Sequence, residues 1–253
     1  MKALLALLLS LACLPSFAAS IRTPMASPTR TMAGIMIEGE IVEGDYAVFE
    51  TAVRNTSNAD TVWLASPGGD LAEAMKIGRL VRELKLSVWV PSKNGLLFPM
   101  VNAKQNAVCA SACFFIYAAG VDRRGEILGI HRPYFSIMAY QKMGLDEAAK
   151  KQSTAMKVSA DYLKEMGVSS AVIERMNNIG SEKIVWLNDA DVSDMTGFIP
   201  EYTEWFKANC PPMIAKDGYL DQQKMFECKS SLLETEQKKA KFQWMLKTAP
   251  KAR

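Results

Sequence analysis

The sequence predicts an α/β fold with parallel crossovers, followed by a helical C-terminal extension. Three observations lead there. Short apolar runs bounded by glycine and proline alternate with amphipathic stretches of helical period. Strand, helix and strand follow closely over residues 61–90, which favours parallel pairing. The chain of 253 residues is 49% hydrophobic and 23% charged, an ordinary globular balance with enough apolar mass for a sizeable core.

The elements can be justified in order. Residues 20–32 are rich in Ser, Thr and Pro and read as a loose leader. Residues 35–41 read as a strand, Gly44-Asp45 as a turn, and 46–54 as a helix carrying Phe49 and Val53. Residues 61–65 are a short apolar strand stopped by Pro67-Gly68-Gly69. Leu71, Ala74, Met75, Gly78, Val81 and Leu84 then recur at helical spacing. Asp70 is placed to cap that helix, with Glu73, Arg79 and Lys85 directed outward. Residues 86–90 form the next strand, and 91–106 a loop. Residues 110–119 are almost wholly apolar, which predicts a buried helix ended by Gly120. Arg123-Arg124-Gly125 reads as a turn, and 126–130 as a strand that delivers His131. Helices follow over 146–166, 169–178 and 187–195, with a return strand at 197–199.

The chemistry concentrates in three segments: Ser66-Pro67-Gly68-Gly69-Asp70, Cys109-Ala110-Ser111-Ala112-Cys113 and Gly129-Ile130-His131-Arg132-Pro133. They supply a di-glycine turn, a serine at the head of an apolar helix and an imidazole. An oxyanion hole, a nucleophile and a general base need those residue types. His131 is the one histidine in the chain, so a Ser-His mechanism has a single possible base. Each segment also has a plainer reading. The glycines suit an ordinary strand-to-helix turn, Ser111 suits an N-cap, and His131 suits a satisfied core histidine.

Together the segments resemble the ClpP/crotonase superfamily, in particular the Clp protease proteolytic subunit and signal peptide peptidase A. The resemblance rests on Leu64-Ala65-Ser66-Pro67-Gly68-Gly69, Ala110-Ser111-Ala112 and Ile130-His131-Arg132-Pro133. The flanking stretches Ile41-Val42-Glu43-Gly44-Asp45 and Trp186 to Ile199 add to it, so that it spans about residues 33–200. It implies a hydrolase domain of repeated ββα units over 33–200, with 201–253 as the extension. It implies Ser111 as nucleophile, His131 as base, and the amides of Gly69 and Ala112, beside Gly68, as the oxyanion hole. The family's aspartate precedes the aromatic-leucine pair, here Trp186-Leu187, but this chain has Ser181-Glu182-Lys183-Ile184-Val185 there. Glu182 is the nearest carboxylate and Asp189 the second choice. Lys104 and Lys142 are reserves for a lysine-dyad arrangement, which the match at His131 disfavours.

Residues 1–18 read as an export signal: Lys2, a short apolar core over 4–15, and a Ser16-Phe17-Ala18 cleavage site. Cys13 lacks the lipobox spacing. Cleavage would place the chain in the periplasm or outside the cell, with residues 19–32 as leader. Four cysteines then remain, and an even number in an exported chain suggests disulfides. Cys210 and Cys228, around Pro211-Pro212 and Asp217-Gly218, are the expected pair. A Cys109–Cys113 bond is feasible if Cys109 precedes the helix. Packing, or a zinc site from Cys109, Cys113 and His131, is the alternative.

The expected activity is that of an exported serine peptidase acting on peptide or protein, with no cofactor and no metal. The alternatives are a catalytically weak binding or assembly protein with the same fold, or a crotonase-type acyl enzyme, which the Ser-His pair disfavours. A net charge of +3 argues against nucleic acid, and no segment after the signal is long enough to span a membrane. The apolar run Pro133-Tyr134-Phe135-Ser136-Ile137-Met138-Ala139-Tyr140 suggests an interface or a peptide groove, hence a homo-oligomer. The helical tail is expected to pack one face on the domain.

Overall fold

The computed structural model describes residues 19–23, 33–57, 59–92, 108–134, 143–214 and 218–249. Its architecture is a repeated unit in which a strand of a large sheet leads to a short segment in a second layer and then to a helix. In the first unit β2 (Ala33–Glu38) leads through Ile41 to α1 (Asp45–Asn55). In the second, β3 (Ala59–Ala65) leads through Ser66 and Gly69 to α2 (Leu71–Glu83). In the third, β4 (Ser87–Trp89) and β5 (Cys109–Ala110) precede α3 (Ala112–Ala119). In the fourth, β6 (Asp122–Arg124) and β7 (Leu128–Ile130) precede α4 (Leu145–Glu165) and α5 (Ser170–Asn178). The fold class is thus α/β with repeated ββα units.

The large sheet runs from β1 (Ser20–Arg22) through β2, β3, β4 and β6 to β9 (Gly197–Phe198), with its four inner strands parallel. Both edges are antiparallel: β1 on β2, and β9 on β6. The second layer pairs Ile41 with Gly69, Ser66 with Cys109, and β5 with β7. It ends on β8 (Val185–Trp186), antiparallel to β7. Ile35, Ile37, Val62, Leu64 and Val88 are fully buried, as expected of parallel strands covered by crossover helices.

α3 is the central helix, and every one of its eight residues is buried. A helix so placed must have its last carbonyls satisfied within the protein. Arg82 from α2 donates to Ala119 O at 2.8 Å, and Arg123 from β6 donates to Ala118 O at 2.6 Å. Two guanidiniums therefore sit where the helix dipole is negative. Burial lowers the Arg123 pKa to about 10, which leaves it charged at neutral pH.

Three local expectations change. Residues 123–124 form part of β6 rather than a turn, because Arg123 turns inward to serve the α3 carbonyls. Glu73 is buried rather than outward: its carboxylate accepts from Tyr46 N at 2.8 Å and joins the heads of α1 and α2. Ser20–Arg22, within the stretch read as loose leader, pairs with β2 as an edge strand. The export signal expected over residues 1–18 lies outside the described residues, as do residues 93–106 of the expected loop.

Beyond the repeats come α6 (Asp189–Met195), α7 (Pro200–Asn209) and the long α8 (Gln222–Lys247). A disulfide joins Cys210, at the end of α7, to Cys228 on α8. α8 lies across the N-terminal ends of β3 and β4. Gln237 Nε2 donates to Asp60 O and Lys85 O, Leu233 and Trp244 are buried, and the Arg54 guanidinium stacks 4.4 Å from the Trp244 ring centroid.

Candidate active site

The three segments singled out in the sequence meet in the second layer. β5 runs parallel to β7 with Ala110 opposite Gly129. Ser111 and His131 therefore follow directly on neighbouring strand ends, and Ser111 N donates to Gly129 O at 2.9 Å. On the other side of β5, Ser66 N donates to Val108 O and Ala110 N to Ser66 O, which draws the Pro-Gly-Gly turn alongside.

Ser111 is half-buried and stands at the corner where β5 turns into α3. Its backbone has φ 56° and ψ −123°. For a residue with a Cβ this conformation costs about 1–3 kcal/mol, and it recurs where a side chain must be presented at a sharp corner. Ser111 does not cap α3 with its side chain, so the N-cap role that its position suggested is not the one its hydroxyl plays.

The glycines are required by contact as well as by conformation. Gly68 has φ 108°, and a Cβ there would lie 2.6 Å from Ser111 Cβ and 2.9 Å from Ala112 N. Gly69 has φ 133°, and its Cβ would lie 2.1 Å from Ile41 O. The amide of Gly68 is taken: it donates to Ser66 Oγ at 3.1 Å. The amides of Gly69 and Ala112 donate to no partner among the described residues. Ala112 opens α3, so its amide sits at the positive end of the helix dipole.

His131 is 8% exposed and its Nδ1 lies 2.8 Å from the carbonyl oxygen of Arg132. A carbonyl oxygen only accepts, so that contact is a hydrogen bond with the proton on Nδ1. In the neutral ring this tautomer leaves the lone pair on Nε2. The ring also packs 5.6 Å, centroid to centroid, from Tyr134. No residue pattern points to Arg132 O, because a backbone carbonyl leaves no trace in residue identity.

Glu182 is exposed in the turn before β8, where Lys183 N donates to Gly180 O at 3.2 Å. Its carboxylate folds back over Gly180. The hydrogen bond that a triad acid would make to Nδ1 is made here by Arg132 O. Asp189 opens α6. Lys104 and Lys142 lie outside the described residues, as do 135–140 of the apolar run; Tyr134 and Trp186 beside the site are both at least half exposed.

Cys109 and Cys113 are bonded to each other, with Cα atoms 5.3 Å apart. Cys109 sits in β5, ahead of the helix, which is the condition the bond needs. The zinc alternative has thereby lost both of its thiolates. A separate cleft of about 510 Å³ lies at the far end of the large sheet, between α8 and residues Asp60, Thr61, Ser87 and Trp89, and neither Ser111 nor His131 lines it.

Fold and site together define a mixed α/β protein of repeated ββα units that presents a serine at a strand-to-helix corner beside a buried histidine. No protein-family model matches the chain, and no curated protein does. Among solved structures, an Asn-to-Asp mutant of ClpP1 from Listeria monocytogenes is similar at 19% identity and a TM-score of 0.44, over 63% of this chain and 85% of that one. A Ser-to-Ala mutant of the membrane-bound stomatin-specific protease 1510-N is similar at 19% identity and a TM-score of 0.42, over 73% of this chain and 87% of that one.

Proposed function

We propose that this chain is an exported serine hydrolase with a ClpP-like arrangement, acting on peptide bonds. The observation that carries the reading is Ser111: a non-glycine residue held at φ 56° on a strand-to-helix corner, its hydroxyl free of capping duty, on the strand end next to His131.

The chemistry follows from the polar atoms around it. Nε2 of His131 takes the Ser111 Oγ proton as Oγ attacks the scissile carbonyl carbon. The oxyanion that forms is met by the amides of Gly69 and Ala112, reinforced by the start of α3. The imidazolium then returns its proton to the leaving amine. Water, deprotonated by the same nitrogen, hydrolyses the acyl-serine. The Arg132 carbonyl holds the tautomer that this sequence needs. Glu182 is the proposed carboxylate in support, and reaching the ring requires it to leave Gly180.

Export is proposed from the residue pattern over 1–18 and from the disulfides; no helix among the described residues is long and apolar enough to cross a membrane. A homo-oligomer is proposed from the apolar surface at Tyr134 and Trp186, which would then shape the substrate cleft between subunits.

The second reading, a weakly active binding protein of the same fold, is favoured by one observation: the partner of Nδ1 is a neutral carbonyl, which stabilises an imidazolium less than a carboxylate does. A fluorophosphonate probe decides between them. Stoichiometric labelling of Ser111 that Ser111→Ala and His131→Ala each abolish supports the hydrolase. A well-folded protein that takes up no probe supports the binding protein.

A further inference from the structure

We propose that the Cys109–Cys113 disulfide is a positioning element for Ser111, so that the reactivity of the serine depends on the redox state of this pair. The proposal rests on the reading of Ser111 as nucleophile.

Ser111 lies at the midpoint of the five-residue loop that the bond closes. One sulfur is anchored in β5, where Cys109 N donates to Ile127 O at 2.9 Å and Cys109 pairs with Leu128. The other is anchored in the first turn of α3. Both cysteines are fully buried in the main core. A backbone held at φ 56° persists only when its surroundings over-determine it. Among the described residues two hydrogen bonds hold the Ser111 backbone, from Ser111 N to Gly129 O at 2.9 Å and from Phe114 N to Ser111 O at 3.0 Å.

Without a tie between the ends of the corner, the strained residue has an easy escape. α3 can extend backward by about one turn, taking Cys109, Ala110 and Ser111 into ordinary helical dihedrals. The 110–119 stretch is apolar enough that the sequence alone predicts such a helix. In a continuous helix a bond between positions four apart is strained. The disulfide and the backward helix therefore compete, and the bond selects the corner. Extending the helix would carry the Ser111 hydroxyl and the Ala112 amide away from the Gly68-Gly69 turn, which packs directly on them.

A dithiol would reverse this. Its two thiols reduce the S–S bond, two S–H groups form on Cys109 and Cys113, and the dithiol is released as its cyclic disulfide. No other oxidant or reductant takes part.

The test uses the full chain and has two readouts. One is the rate of fluorophosphonate labelling, separated into maximal rate and half-saturating concentration. The other is hydrogen exchange at the Ser111 amide. For Cys109→Ala/Cys113→Ala, at a temperature where circular dichroism shows it folded, the maximal rate should fall at least tenfold with half-saturation little changed. Ser111 amide exchange should accelerate at least tenfold. Cys210→Ala/Cys228→Ala is the control: it should melt earlier yet label at the wild-type maximal rate. If the first variant fails to fold, the control protein is reduced with dithiothreitol in partly denaturing urea, returned to native buffer in the same reductant and labelled once mass spectrometry shows the bond open, because only the Cys109–Cys113 bond is then present to be reduced. Unchanged labelling and unchanged Ser111 exchange after loss of that bond would overturn the proposal. Faster exchange in a protein whose oxidised form takes up no probe would leave the clamp standing and remove the hydrolase reading.

Discussion

Gly68 and Ser111 touch so closely that nothing larger than a hydrogen fits between them: a Cβ on Gly68 would come 2.6 Å from Ser111 Cβ. The turn that presents the Gly69 amide and the corner that presents the serine are thus one packed unit. Both ends of that unit lie on the same strand pairing, from Ser66 to Cys109.

Gly68→Ala should therefore do two separable things. The positive φ and the clash should destabilise the fold by on the order of 2 kcal/mol. The displaced corner should lower Ser111 labelling about 100-fold, the usual cost of a misplacement near 1 Å. Denaturant unfolding and probe kinetics on the same sample check this, and labelling reduced only in proportion to the unfolded fraction would count against it.

Glu182→Gln should lower turnover by less than about tenfold. The tautomer of His131 is held by Arg132 O, whereas in triads where the acid holds it, the amide substitution costs about 10⁴. A loss of a thousandfold or more, with an unchanged melting curve, would place Glu182 on the imidazole.

The bond between Cys210 and Cys228 links residues 18 positions apart and joins α7 to α8. Its loss through Cys210→Ala/Cys228→Ala should cost roughly 3 kcal/mol on the loop-entropy model. Differential scanning calorimetry should show a single transition moved to lower temperature, and an unshifted transition would contradict the expectation.

Asp60 offers a pH test away from the serine. Burial, opposed by a hydrogen bond from Thr61, pushes its carboxyl up to about 6. The folded state then holds this proton to a higher pH than the unfolded chain, whose carboxylate titrates near ~4. Between these values the native state binds more protons, so stability falls as pH rises and levels off above about 6. Asp60→Asn should remove that fall and leave the variant more stable at pH 8 by on the order of 2 kcal/mol. Urea midpoints for the two proteins that stay parallel from pH 4 to pH 8 would refute the assignment.

Much of the α/β order is legible in the sequence because it rests on local signals. Leu71–Glu83 forms with Asp70 accepting from Glu73 N at 2.8 Å, as period and cap predict. α3 is buried because its faces are apolar apart from the Tyr117 hydroxyl. β6 is not legible, since Arg123 has no reason to lie in a central sheet until the C-terminal end of α3 needs a donor, and Arg124 beside it pairs with Asp122. The same holds for Glu73, whose partner Tyr46 N lies 27 residues away.

By itself, then, the sequence determined the alternation of strands and helices, the candidate serine and histidine, and the glycines that approach them. Each of these depends on residue type within a short window. Tertiary structure alone decided that Ala110 stands opposite Gly129, that Gly68 lies on Ser111, that Arg132 O takes the Nδ1 proton of His131, and that Glu182 rests on Gly180. Register, close approach and backbone acceptors arise between segments far apart in the chain, and a backbone carbonyl is the same in every residue. The Cys109–Cys113 bond stands between the two: its spacing is written in the sequence, but whether it forms depends on where β5 ends and α3 begins.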